Sequence, residues 1–354
     1  MPSSILVIKL SAIGDVVHSL PFLEVLRKNF PGARIDWIVE ADAAPIVEGH
    51  EAIDRLFVSS RKPWQKRLVE IGNYLPVLRE VARFVRELRG YRYELVIDLQ
   101  GLLKSALLAG LVRGREKIGL EGVREGGWVF YNRPAIPVDY RRHAVDRYLQ
   151  AADYLNCRRT GWDGKIPLTQ RDRKRVDELL RLPEIGNRRI IAFNPMARWK
   201  TKLWSPEKFA ESADMVSQKL SCAVVFTGSR SDRPLIRELS AQMKNPALNL
   251  AGRTSLKELA YLYSRCRALV CTDTGPMHIA AAMGCPVVAL FGPTDPLRTG
   301  PYGAGHRVIR AGVACSPCFK KKCEQPICME TISTGQVFEA VVHVVQGAGK
   351  VYSN

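Results

Sequence analysis

Short apolar runs alternate with amphipathic stretches along almost the whole chain, and this alternation restricts the fold most. "ILVIKL" reads as a strand buried on both faces, and "DVVHSLPFLEVLRKNF" reads as the helix after it. "ARIDWIVE" is a second strand, and the amphipathic stretch "LPVLREVARFVRELRG" leads into another buried one, "YELVIDLQG". Strands that are apolar at successive positions need cover on both faces, which crossover helices supply. The expected class is α/β, with parallel, doubly wound sheets.

The alternation weakens over 155–188, where Gly, Pro and charge accumulate, and restarts at "RIIAFNP". A chain of 354 residues suits two domains. The expected organisation is a first Rossmann-like domain over 1–170, a second over 171–330, and a C-terminal helix within 331–354. In such sheets the loops at the carboxyl ends of the strands build the site. That places Asp15, Gln100, the segment after Asn194, Gly228 and Asp273 on facing rims of a cleft. Neither domain carries G-x-G-x-x-G after its first strand, and no Walker loop is present. A nicotinamide dehydrogenase and a P-loop nucleotidase are therefore disfavoured.

No run approaches the roughly 18–20 apolar residues that span a bilayer. The N-terminus has neither a basic leader region nor a small-residue cleavage site, so a cytoplasmic protein is expected. The net charge is +18, and residues 61–92 hold nine Lys or Arg against three Glu. Such a surface suits nucleic acid, an anionic membrane or a phosphorylated substrate. No helix-turn-helix, ribonucleoprotein motif or zinc finger supports nucleic acid. On the helix expected over 75–90, Val77, Val81, Phe84 and Leu88 line one side, and Arg79, Arg83 and Arg86 line another. That pattern fits a packed crossover helix or one resting on an anionic membrane.

The densest signal is "VCTDTGPMHIAAAMGCPVVALFGPTDP", residues 270–296. A strand ends near Asp273, Thr274 or Asp273 can cap the next helix, and Pro276 suits its first turn. Open N–H groups at that helix start favour a phosphate. Gly275 allows close approach, and His278, one turn in, could donate to a phosphate oxygen. Four cysteines, Cys315, Cys318, Cys323 and Cys328, are spaced C-x2-C-x4-C-x4-C. The spacing fits a structural zinc site or unligated thiols, and no metal or cofactor is assigned.

"KLSAIGDVVHSLP", "RIDWIVE", "VIDLQGLLKSA", "FYNRP", "HAVDRY", "TDTGPMHIAAAMG" and "FGPTDP", in this order, resemble the ADP-heptose:lipopolysaccharide heptosyltransferases of glycosyltransferase family 9. The resemblance implies a GT-B fold, with an acceptor-binding N-terminal domain, an ADP-heptose-binding C-terminal domain, and a last helix packed back on the N-terminal one. It implies an inverting, metal-independent transfer to the Kdo region of lipopolysaccharide, by an enzyme peripheral to the inner membrane. Asp15 matches the general base, and helix capping is its other role. Lys202, two residues before Trp204, matches a donor-binding lysine, with Lys200 as its rival. Asp232 matches an acid on the ribose hydroxyls, or it caps the helix at Pro234. Thr254 falls at the adenine contact. For the anionic Kdo–lipid A acceptor the resemblance points to Lys62, Lys66, Arg124 and His143, with Gln100 and Lys104 nearby. The N-terminal motifs look like heptosyltransferase I and the cysteine-rich stretch like heptosyltransferase II. Another nucleotide-sugar transferase of the family, or an epimerase acting on the nucleotide sugar alone, is the remaining alternative.

Overall fold

The computed structural model describes residues 2–70, 74–123, 125–159 and 161–347. The chain divides into two compact units, Met1–Pro167 and Leu168–Asn354. The N-terminal unit is built on β1 (Ser4–Ile8), β2 (Arg34–Glu40), β3 (Arg55–Ser59), β4 (Arg92–Asp98) and β5 (Arg113–Gly119). These lie in the order β3-β2-β1-β4-β5, with every pairing parallel. The C-terminal unit is built on β6 (Ile190–Asn194), β7 (Ala223–Phe226), β8 (Ala247–Asn249), β9 (Ala268–Thr272), β10 (Val287–Phe291) and β11 (Arg307–Arg310). Their order is β11-β10-β9-β6-β7-β8, again all parallel.

Counted within its own unit, the second sheet has the order 3-2-1-4-5-6 of dinucleotide-binding folds, and the first has the same wiring one strand shorter. These are the two Rossmann-like units of a GT-B protein. In both, the first and fourth strands are neighbours, so the connections leaving them diverge and open a crevice at their carboxyl ends. The chain after Ile8 and Asp98 lines one crevice, and the chain after Asn194 and Thr272 lines the other.

The central strands are those with continuous apolar sequence. Ile5, Leu6, Val7 and Ile8 are fully buried, as are Val287, Val288, Ala289 and Leu290. The helices Leu20–Asn29 and Pro206–Leu220 each present an apolar face to their sheet, through Phe22, Leu23 and Leu26 and through Phe209, Ala213 and Val216. The helix Tyr74–Arg89 buries Val77, Phe84 and Leu88 while Arg79, Arg83 and Arg86 stay exposed. Two of the outermost strands carry charge: β5, "RGREKIG", is partly exposed, and β11, "RVIR", is largely exposed. An edge strand is held mainly by backbone pairing and tolerates charge, so hydropathy does not mark it.

The helix Thr334–Gly347 packs on the helix Pro206–Leu220 and on β9, β10 and β11, within the C-terminal unit. Its Val337, Val341 and Val344 enter the core around Phe209, Val270 and Leu290. Trp204, 2% exposed, fixes the approach to it by donating from Nε1 to the Ile332 carbonyl at 3.1 Å. Val341→Asp would place a carboxylate in that core and should cost the C-terminal unit at least about 3 kcal/mol. Hydrogen exchange should then speed up in β9 and β10 and stay unchanged in β1 and β4. Equal acceleration in β1 and β4 would contradict this packing.

Candidate functional site

In the C-terminal unit the crevice between β6 and β9 holds a compact ionic network. Lys202 Nζ donates to Asp273 Oδ2 at 2.6 Å, and Thr294 Oγ1 donates to the same oxygen at 2.7 Å. Asp273 is 7% exposed and the Lys202 side chain 15%, so the pair is shielded from water but reachable. The Lys202 ammonium also lies 4.5 Å from the centre of the Trp199 ring. Lys200 lies exposed on the same short turn. The network corrects the capping expectation. Thr274 occupies the N-cap of the helix Gly275–Ala282 without a side-chain cap bond, and Asp273 is engaged by Lys202 and Thr294 instead. Pro276 sits in the first turn and Gly275 begins it, while His278 is buried one turn in. Uncapped N–H groups at a helix start, with a lysine beside them, form a place for a phosphate.

Next to this network, at the ends of β7 and β8, lie Gly228, Asp232 and Thr254. Asp232 Oδ2 accepts from the Ser229 N–H at 2.7 Å and from Ser229 Oγ at 2.6 Å, which closes a tight turn before the helix Arg233–Ala241. Its capping role is therefore real, but directed at Ser229 rather than at the turn of Pro234. A Cβ on Gly228 would come within 2.8 Å of Ile236 Cδ1 and 3.3 Å of Asp232 Oδ2, so a larger residue here would push the end of the Ile236 side chain aside. The Gly228 carbonyl accepts from the Gly252 N–H at 3.0 Å, joining the two loops. Thr254 is half-buried in the turn before the helix Leu256–Arg265. Asn194, at the end of β6, donates from Nδ2 to the Thr227 carbonyl at 3.0 Å.

In the N-terminal unit Asp15 is the third residue of the helix Ile13–His18, half-buried at the end of β1. Its Oδ2 accepts from the Ala12 N–H at 3.2 Å. Alanine offers no oxygen in return, so this is one half of a capping box. Beneath the same loop Lys9 is buried, with its ammonium donating to the Leu99 carbonyl at 3.2 Å and facing the Tyr148 ring. Burial pulls the Lys9 pKa down, but Tyr148 and the carboxylates of Asp15 and Asp98 outweigh it and hold the pKa above its ordinary value. Gln100 Oε1 accepts from the N–H groups of Leu10 and Ser11, so Gln100 fixes the loop after β1. Its own N–H is held by the buried Asp98, which Tyr131 also engages at 2.8 Å.

Lys62 and Lys104 meet on one buried acid that sequence reasoning missed. Glu40, 2% exposed at the end of β2, accepts from Lys104 Nζ at 2.9 Å and from Arg61 Nη2 at 2.8 Å, with Lys62 Nζ 3.7 Å away. Burial raises the Glu40 pKa, but the hydrogen bonds from Arg61 and Lys104 overcome this and leave it below its usual range. Lys104 also donates to Ser11 Oγ at 2.8 Å, which ties this cluster to the Asp15 loop. Lys66 is exposed one turn beyond Lys62 on the helix Arg61–Glu70. His143 caps the helix Ala144–Tyr154, its Nδ1 accepting from the Val145 N–H at 3.2 Å, and its ring meets that of His18 edge-on. Arg124 lies outside the described residues. Thr294 was signalled only by its place in "FGPTDP", and Glu40 and Lys9 only by charge at the end of an apolar strand.

The four cysteines of the C-x2-C-x4-C-x4-C stretch differ in exposure. Cys315 and Cys323 are exposed, Cys318 is half-buried and Cys328 is buried. Among the described residues no group of three or more His, Cys, Asp or Glu side chains is placed to hold a metal ion.

Residues 81–328 match the model of glycosyltransferase family 9 (heptosyltransferase). Lipopolysaccharide heptosyltransferase 1 of Pseudomonas aeruginosa is 32% identical over 94% of this chain and 95% of that protein. The structure of the family 9 glycosyl transferase from Veillonella parvula superposes with a TM-score of 0.83 at 27% identity, covering 98% of each chain. Escherichia coli heptosyltransferase WaaC with ADP superposes with a TM-score of 0.76 at 25% identity, over 96% of this chain and 99% of that one. With the family model spanning well over half of the chain and a full-length relative above 30% identity, this protein belongs to glycosyltransferase family 9, the heptosyltransferase family.

Proposed function

We propose that this glycosyltransferase moves heptose from ADP-L-glycero-D-manno-heptose to the Kdo region of the lipopolysaccharide inner core, as heptosyltransferase I does. The Lys202–Asp273–Thr294 network at an uncapped helix start carries this reading. A diphosphate leaving group gains negative charge as its bond to the sugar breaks, and fixed positive partners stabilise that change. Asp273 holds the ammonium in place, and the helix start adds oriented N–H groups. Gly228, Asp232 and Thr254 follow β7 and β8, which lie two and three strands from β9 in the same sheet. Three inter-strand steps span about 14 Å. That separation suits a nucleoside diphosphate stretched along the carboxyl edge, with ribose at Asp232, adenine at Thr254 and phosphates at Gly275 and His278.

On the N-terminal unit we assign Asp15 as the general base of an inverting, metal-independent transfer. One carboxylate takes the proton of the acceptor hydroxyl as its oxygen attacks the anomeric carbon and ADP departs. The cationic group around Glu40, with Lys62, Lys66 and Lys104, suits an acceptor bearing carboxylates and phosphates. His143 and Arg124 complete the assigned acceptor set, and Gln100 acts by positioning the Asp15 loop. The protein works at the cytoplasmic face of the inner membrane. Val69, Tyr74, Leu75 and Leu78 are exposed beside the arginine face of the helix Tyr74–Arg89, a combination that suits contact with an anionic lipid surface. Among the described residues no helix is long and apolar enough to cross a membrane.

Asp15→Asn keeps an oxygen for the Ala12 N–H, so the fold and ADP affinity should persist while turnover falls by about 10²–10⁴-fold. Near-normal turnover would remove Asp15 from the role of base. Lys202→Ala leaves Asp273 uncompensated beside the phosphates, and ADP affinity measured by calorimetry should fall by about 10–100-fold. An unchanged affinity would overturn the assignment. Mass spectrometry of products should show one heptose added to Kdo2-lipid A. Addition only to the acceptor already carrying a heptose would make this a heptosyltransferase II, the reading that the cysteine-rich stretch favours.

A further inference from the structure

Beside the donor network the C-terminal unit has an open pocket of about 910 Å³, whose lining does not include Asp273. One wall is Arg198, Trp199 and Lys200, and the other is Lys321 and Lys322 from the cysteine-bearing loop. The two walls are tied together, because Thr201 Oγ1 donates to the Lys320 carbonyl at 2.9 Å. The loop is anchored again where Phe319 N–H donates to the Pro293 carbonyl at 2.7 Å and Ser316 Oγ to the Gly292 carbonyl at 2.6 Å. No Asp or Glu lines the pocket.

The charges here are handled differently from those of the two crevices. Arg61, Lys104 and Lys202 all rest on buried carboxylates. Arg198, Lys200, Lys321 and Lys322 have no ion-pair partner among the described residues. Instead Lys321 Nζ lies 5.3 Å from the centre of the Trp199 ring, whose other near cation is Lys202. Four like charges around one cavity repel one another, and a dense anion seated among them relieves that repulsion. The exposed ammonium groups suit the compact charge of a phosphate, and the guanidinium of Arg198 can meet it with two hydrogen bonds.

We propose that this pocket is a second phosphate site, distinct from the one at Lys202 and Gly275, that takes phosphomonoester or diphosphate groups. Lys321 and Lys322 supply the charge, and the Trp199 ring lines the pocket beside the Lys202 ammonium. The site does not depend on which sugar the enzyme transfers. Its ligand is either a phosphate carried on a lipid headgroup or a free phosphate.

The test uses the full chain carrying Lys202→Ala, which weakens the donor site, with sodium pyrophosphate as the probe in calorimetry. Saturable binding should remain, and adding Lys321→Ala and Lys322→Ala should weaken it about tenfold. In an otherwise unaltered chain, the Lys321→Ala, Lys322→Ala pair should leave ADP affinity within about twofold of its original value. Loss of all pyrophosphate binding with Lys202→Ala alone would overturn the proposal, as would binding indifferent to Lys321 and Lys322. A parallel fall in ADP affinity would also overturn it, by showing one continuous donor site. Flotation with phosphatidylcholine vesicles containing phosphatidic acid identifies the source. A severalfold loss of vesicle binding in the Lys321→Ala, Lys322→Ala protein supports a lipid-borne phosphate, and tight pyrophosphate binding with unchanged flotation supports a free one.

Discussion

Both units depend on one backbone constraint, the parallel pairing of their first strand with their fourth. β1 beside β4 and β6 beside β9 make the outgoing loops part company at the carboxyl edge. Residues far apart in sequence then share a small space. Asp15 and Gln100 are brought to one edge, and Lys202 and Asp273 to the other. The apolar runs that make these strands central fix the position of the crevice, and the polar residues directly after them supply its chemistry.

The same electrostatic device appears in each unit. A nearly buried carboxylate ends or follows a strand and holds cations that would otherwise sweep a wide volume. Glu40 gathers Arg61 and Lys104, and Asp273 gathers Lys202. The acid gains hydrogen bonds that offset its desolvation, and the cation loses rotamer freedom before a ligand arrives. Positioning of this kind favours a transition state whose charge differs from that of the ground state.

Much of this was legible in the sequence. Central strands and amphipathic helices follow hydropathy, and "TDTGPMHIAAAMG" shows a helix start open to a phosphate. What stayed hidden has physical reasons. The edge strands β5 and β11 are charged because one side of each faces solvent. The partners of Asp273 come from "KTKLW" and "FGPTDP", which sequence spacing cannot bring together. Glu40 reads in the sequence as the polar end of a strand, because its three cations come from Arg61, Lys62 and the distant Lys104. The partners of the helix Thr334–Gly347 were hidden as well, because amphipathicity reveals that a face is buried and says nothing of what buries it.

That helix also bears on how the chain comes into being. The N-terminal sheet is complete by Gly119 and its unit by Pro167, whereas the C-terminal core closes only when Val337, Val341 and Val344 are in place. At about 5–20 residues per second, a ribosome needs roughly 9–36 s to make the intervening stretch. During that interval one apolar face of the nascent second sheet has the helix Pro206–Leu220 on it but lacks the rest of its cover. The last helix is thus a late clasp, and the second half of the chain is the part that a holding chaperone would meet.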